Sequence, residues 1–306
     1  MMKHIFVLIS ALLALTACTQ KLEVSAPEFN VTQEKITARA GEEVKFLFTG
    51  DPDLITFYSG EVLHDHVFAA GRIVKTNSLS FSFRSNVEFG KQPDQLSIMA
   101  SADFNGGATF EDVSAANWTD ITNRFVLGTN ATYKSSGEAD LSDLRVEGKP
   151  LFLAFRYVVK NPSLYGTGNV WRIQNFLFTA QTSIGLQTLG NMQNSGFRIF
   201  ERKKETAPCR STISTTTLQL IAPALVDSTR TVDTECWIVT KGFDTGDTDY
   251  GPDRPVAIKG YADPKMKEAV YIYNAPGNYK AVFAAYNGNT AGRKEVIREV
   301  DVEITP

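Results

Sequence analysis

A chain of 306 residues has room for about two domains. Its 43% hydrophobic and 21% charged content excludes a chain that is disordered throughout. A net charge of −3 argues against nucleic acid as a partner, since the only dense basic run, Arg202-Lys203-Lys204, is flanked by Glu201 and Glu205.

The N-terminus sets the expected compartment. Lys3 and His4 precede an apolar run over residues 5–15, which is shorter than the roughly 20 residues a membrane-spanning helix needs. The run fits the core of a signal peptide over residues 1–17. Leu15-Thr16-Ala17-Cys18 resembles a bacterial lipobox, which implies cleavage before Cys18 and acylation of that residue. Several acyl chains make a durable membrane anchor where one is marginal. Residues 18–25 then read as the lipidated N-terminus and a short linker. No aspartate follows Cys18, unlike in many lipoproteins kept at the inner membrane, so the outer membrane is expected, with its periplasmic face and the cell surface both open.

From residue 26 the chain reads as β. Val44, Phe46 and Phe48 alternate with outward-facing residues, Gly50-Asp51-Pro52-Asp53 is turn chemistry, and Ile55-Thr56-Phe57-Tyr58 is a second strand. Further short apolar runs follow at residues 78–84, 95–100, 150–159 and 170–178, each bounded by turn residues. A turn of helix is expected only within residues 114–122. Near the C-terminus, residues 269–273, 279–287 and 296–304 read as three more strands. Many short strands with frequent turn signals predict β-sandwiches.

The run Tyr273, Pro276-Gly277, Tyr279 and Phe283 resembles the back half of a PKD domain, an immunoglobulin-like module. Residues 40–46, a glycine before an alternating strand, resemble its front half. Each half is about fifty residues, too few to close a sandwich alone. The expectation is therefore one PKD/Ig-like domain from residues 26–74 plus 262–306, interrupted by an insertion over 75–261. Within that insertion, residues 96–106, 118–122 and 151–157 resemble galactose-binding-like jelly rolls. Together with residues 55–61, 235–239 and 251–256, the mature chain resembles an uncharacterised lipoprotein family of Bacteroidota, a domain of unknown function, which implies a fold and a location but no activity.

Candidate chemistry is sparse. The mature chain has two histidines, His64 and His66, with no third metal ligand in view, and no Gly-x-Ser-x-Gly elbow to serve a histidine, so no catalytic residues are assigned. Asp244, Asp247, Asp249 and Asp253 share a turn-rich loop that reads either as a solvated loop or as a calcium site, calcium being the one cofactor considered. Cys209 and Cys236 read equally as two thiols or as a disulfide, which would stabilise by about 3.5 kcal/mol in the chain-entropy treatment. Trp171 and Trp237 sit in apolar strands and read as core. Trp118, among polar neighbours, and Tyr165, in a loop, are the candidate sugar-stacking residues. The expected function is non-enzymatic: an outer-membrane, cell-surface lipoprotein capturing glycan beside a nutrient-uptake complex. A structural or adhesive protein is the second reading and an accessory carbohydrate hydrolase the third.

Overall fold

The computed structural model describes residues 23–306. The lipobox and Cys18 lie outside the described residues. The chain is all-β and divides into two compact units, one running through Arg72 and resuming at Tyr250–Pro306, the other formed by Ile73–Asp249.

The first unit draws β1 (Phe29–Val31), β2 (Lys35–Arg39), β3 (Glu43–Gly50) and β4 (Leu54–Tyr58) from one end of the chain. From the other end come four strands, here named in advance of the intervening ones: β18 (Val256–Lys259), β19 (Glu268–Ile272), β20 (Gly277–Asn289) and β21 (Gly292–Thr305). One sheet runs β1-β3-β19 and the other β18-β4-β20-β21-β2. Along β3, Val44, Phe46 and Phe48 are buried while the residues between them are exposed, so one face is committed to the core. Phe46 lies opposite Ala269 of β19, and Phe57 lies opposite Phe283 of β20. Phe283 touches Phe46, Phe48 and Phe57 at ring-centroid distances of 5.0, 5.0 and 4.9 Å, so both sheets share one aromatic core. Strand β2 pairs in parallel with β21, Lys35 opposite Asp301, which ties the two chain ends directly. The boundary expected at residue 261 moves to 249, because β18 pairs with β4 and Lys259, itself buried, donates from Nζ to the Pro52 carbonyl at 2.8 Å.

The second unit begins within β5 (Arg72–Val74) and ends within β17 (Thr248–Gly251). One sheet is built on β6 (Thr76–Glu88) and β11 (Val170–Thr182), flanked by β9 (Lys134–Asp140), β12 (Gly185–Asn191), β14 (Thr212–Ile213) and β15 (Leu218–Leu220). The other orders β13 (Arg198–Glu201), β16 (Thr234–Val239), β10 (Phe152–Val159), β7 (Leu96–Ser101) and β8 (Thr119–Asp120). Inward residues of both sheets, among them Phe81, Phe83, Ile98, Phe155, Ile173 and Ile238, form the main core. Phe152, Ala154, Trp237 and Val239 face the other way and build a second, smaller core. The helix α1 (Phe110–Ala115) adds Val113 to it. This helix starts before the stretch expected, because Thr109 and Asp112 form a capping box that fixes its N-terminus.

Candidate functional site

The second unit carries an open cleft of about 570 Å³ between the ends of its two sheets. Its wall starts at the segment leaving β6. Phe89 and Asp94 adopt φ of 69° and 50°, conformations unusual for side-chain-bearing residues, and they turn this segment sharply back. Gly90 between them is required by sterics: a Cβ there would stand 2.3 Å from the Asn169 backbone nitrogen. Gly128, on another wall, meets the same demand against the Ser85 carbonyl at 2.4 Å.

A carboxamide network locks this frame. Gln92 Nε2 donates to the carbonyls of Lys160 and Gly166 at 2.8 and 2.6 Å, and Gln92 Oε1 accepts from the Lys160 N–H at 2.9 Å. Gln95 Oε1 accepts from both the backbone N–H and Nδ2 of Asn169 at 2.8 Å. Asn169 Nδ2 also donates to the Gln92 carbonyl at 2.6 Å. From below, Tyr157 donates its hydroxyl proton to the Asn169 carbonyl at 2.5 Å. Burial pushes the Tyr157 phenol far up, so it stays protonated and keeps that bond. Because the amides saturate one another, they hold the walls rather than greet a ligand.

The groups left to meet a ligand are different ones. Lys91, Asp94, Ser97 and Asp120 line the cleft. Asp120 Oδ1 accepts from the Thr122 N–H at 2.9 Å, and its side chain is exposed. Trp171 lines the cleft as well, although it is only 8% exposed. Its register, opposite Val87 on one side and Leu220 on the other, sets the ring into the main core. Its indole Nε1–H is buried and finds no acceptor among the described residues. A buried donor without a partner costs about 1–3 kcal/mol. Two exposed aromatics stand on the bordering loops: Phe89 at 76%, adjoining Gly90, and Tyr165 at 56%, on the short helix α2 (Pro162–Tyr165). That helix is joined to the wall through Gly166 and through the Lys91 N–H, which donates to the Thr167 carbonyl at 3.0 Å.

Tyr165 is exposed on that neighbouring helix but is not among the residues that line the cleft. Trp118 does not reach it. Its ring packs on Phe104 and Trp237 at 5.8 and 5.1 Å, and its indole N–H donates to the Val113 carbonyl at 2.8 Å. Trp118 is half-buried, and the face of its ring that packs on Phe104 and Trp237 belongs to the smaller core. The four aspartates of the proposed calcium loop do not converge. Asp244 Oδ1 accepts from the Gly246 N–H at 2.9 Å, and Asp247 Oδ1 from the Thr76 N–H at 3.0 Å. Asp253 holds Arg72 through both oxygens, at 2.7 and 2.6 Å. Among the described residues no three His, Cys, Asp or Glu side chains, Asp249 included, gather as a metal site. His64 faces the Arg254 carbonyl at 2.9 Å and His66 packs edge-on to Tyr58. Cys209 is half-buried and Cys236 is buried.

Sequence reasoning missed Trp171, Lys91, Asp94 and Ser97. The available signal was the segment Phe89-Gly90-Lys91-Gln92-Pro93-Asp94-Gln95, an aromatic, a glycine and four polar side chains between two strands.

A family model described as a domain of unknown function (DUF5017) matches residues 17–197. The chain belongs to that family. The DUF5017 match spans every residue that lines the cleft, from Val87 to Trp171, and ends before β13. No curated protein matches the chain.

Proposed function

We propose that the chain is a non-enzymatic, lipid-anchored protein of the bacterial outer membrane that binds glycan in the cleft of its second unit. In this reading the first unit is a PKD/Ig-like base and the second a galactose-binding-like jelly roll, serving a nutrient-uptake complex. The observation that carries the reading is a cleft lined by Asp94, Asp120, Ser97 and Lys91 together with Trp171, whose buried indole nitrogen has no partner among the described residues. A sugar offers what these groups need: hydroxyl oxygens to accept from the indole and ammonium, hydroxyl protons for the carboxylates, and apolar ring faces for Phe89 or Tyr165. The volume lies within the range of small-ligand sites.

Binding of the full chain to a polysaccharide panel tests this. At least one glycan should bind and be recovered uncleaved. Trp171→Phe keeps an aromatic but smaller ring and removes the N–H, and should weaken that binding about three- to tenfold. Asp120→Asn should weaken it by a similar factor. Binding unchanged in both variants, or none across the panel, would remove the reading. Anchoring is separately accessible: Cys18→Ala should move the protein from the detergent phase to the aqueous phase on phase partitioning.

A further inference from the structure

Cys236 lies on β16, fully buried in the main core, and its ladder partner across β13 is Glu201. Glu201 Oε2 accepts the Cys209 backbone N–H at 2.7 Å, which draws Cys209 back over the strand it has just left. Two residues on, Ser211 Oγ stands 3.3 Å from Cys236 Sγ. Cys209 and Ser211 therefore approach Cys236 together. Cys209 is half-buried, two residues from Ser211 on the same extended segment, and packs against the core that contains Cys236.

The segment that brings them together is itself fixed at several points. The Arg202 N–H donates to the Glu235 carbonyl at 3.0 Å, and the Ala207 N–H closes a turn on Lys203 at 2.8 Å. The Arg210 N–H donates to the Ile221 carbonyl at 3.0 Å, and Ser211 Oγ accepts from the Ile221 N–H at 3.1 Å. These bonds form a strap from Glu201 to Thr212 that crosses the end of β16.

We propose that Cys209 and Cys236 are joined by an intramolecular disulfide, installed while the chain folds by a disulfide oxidant of the thiol–disulfide exchange class and then sealed beneath the strap. The thiolate of one cysteine attacks a sulfur of the oxidant's disulfide, forming a mixed disulfide and releasing one oxidant thiolate. The second cysteine's thiolate attacks the protein-side sulfur, the Cys209–Cys236 bond forms, and the second oxidant thiolate leaves. Two electrons pass to the oxidant, whose two sulfurs take up the two protons the cysteines gave up. The order of events follows from the environment. In the folded chain the hydrogen bond with Cys236 and then burial hold the Cys209 thiol protonated far above its ordinary range, so little thiolate is present to attack. In the unfolded chain both thiols ionise normally and are accessible.

The test is refolding of the full chain from denaturant in a mixture of oxidised and reduced glutathione, followed by peptide mapping without reduction. The expected product is one linked pair of peptides carrying Cys209 and Cys236, identified separately from any carrying Cys18. Refolding in reductant should lower the melting temperature of the second unit by roughly 5–10 °C. A Cys209→Ser/Cys236→Ser protein should melt at the same temperature in both buffers. Protein first refolded in reductant, then moved to the glutathione mixture, should form the link at least about tenfold more slowly than unfolded protein does. Free thiols at both positions after oxidative refolding, or a melting temperature insensitive to reductant, would overturn the cross-link. Equal oxidation rates for folded and unfolded chains would overturn its installation before burial.

Discussion

Asp253→Ala should destabilise the first unit by about 3–5 kcal/mol, the cost of leaving a buried charge without its partner. Arg72 and Asp253 are both almost fully buried, and the guanidinium meets the carboxylate in a two-pronged contact. Asp253 also accepts the Asp65 N–H at 2.9 Å, and Arg72 lies 3.6 Å over the Phe68 ring. Removing the carboxylate therefore strands a cation and a backbone donor at once. Replacing both partners by apolar residues, Arg72→Met with Asp253→Leu, should cost far less than either single change. Loss of amide-exchange protection in β3, β20 and β21 measures the effect, and unchanged protection in Asp253→Ala would contradict it. The same pair predicts acid sensitivity. Arg72 holds the Asp253 carboxyl below its ordinary range, so its contribution is complete above the ordinary aspartate value of about 3.9. It is lost as pH falls through the lower folded value.

Phe283→Ala should cost a comparable 3–5 kcal/mol. The ring is fully buried and sits at the meeting point of Phe46, Phe48 and Phe57, which come from β3 and β4. Truncation leaves a cavity among three aromatic side chains that the paired strands cannot collapse to fill. Phe283→Leu retains much of the volume and should cost less than about 1.5 kcal/mol. Denaturant unfolding of the two variants gives the comparison, and equal losses would show that the site tolerates a void.

The β character was legible because strand periodicity is local. Val44, Phe46 and Phe48 alternate in sequence and are buried in alternation. The helical turn was displaced because its decisive signal, Thr109 with Asp112, lies ahead of the residues that read as helical. The site was much less legible. Trp171 reads as core and is core, and only three-dimensional packing shows that it also lines the cleft and that its indole nitrogen is buried without an acceptor among the described residues. Trp118 reads as a binding residue from Asn117 and Thr119, yet Asn117 turns its side chain to Asp103 at 2.6 Å and leaves the ring to Trp237. Asp253 looked like one of four equivalent loop carboxylates, and its partner Arg72 lies far away in sequence.

The parallel pairing of β2 with β21 has a consequence for the newborn chain. Synthesis runs from the N-terminus, so Phe46, Phe48 and Phe57 emerge long before Phe283, and Ile73–Asp249 is complete while their partners are still unmade. Through that interval β3 has only β1 beside it, and β2 and β4 lack every strand they pair with, which leaves open edges and bare aromatic faces, the condition under which chains cling to one another. A chain ended near residue 249 is therefore expected to keep the core of Ile73–Asp249 and to leave the first four strands prone to aggregation.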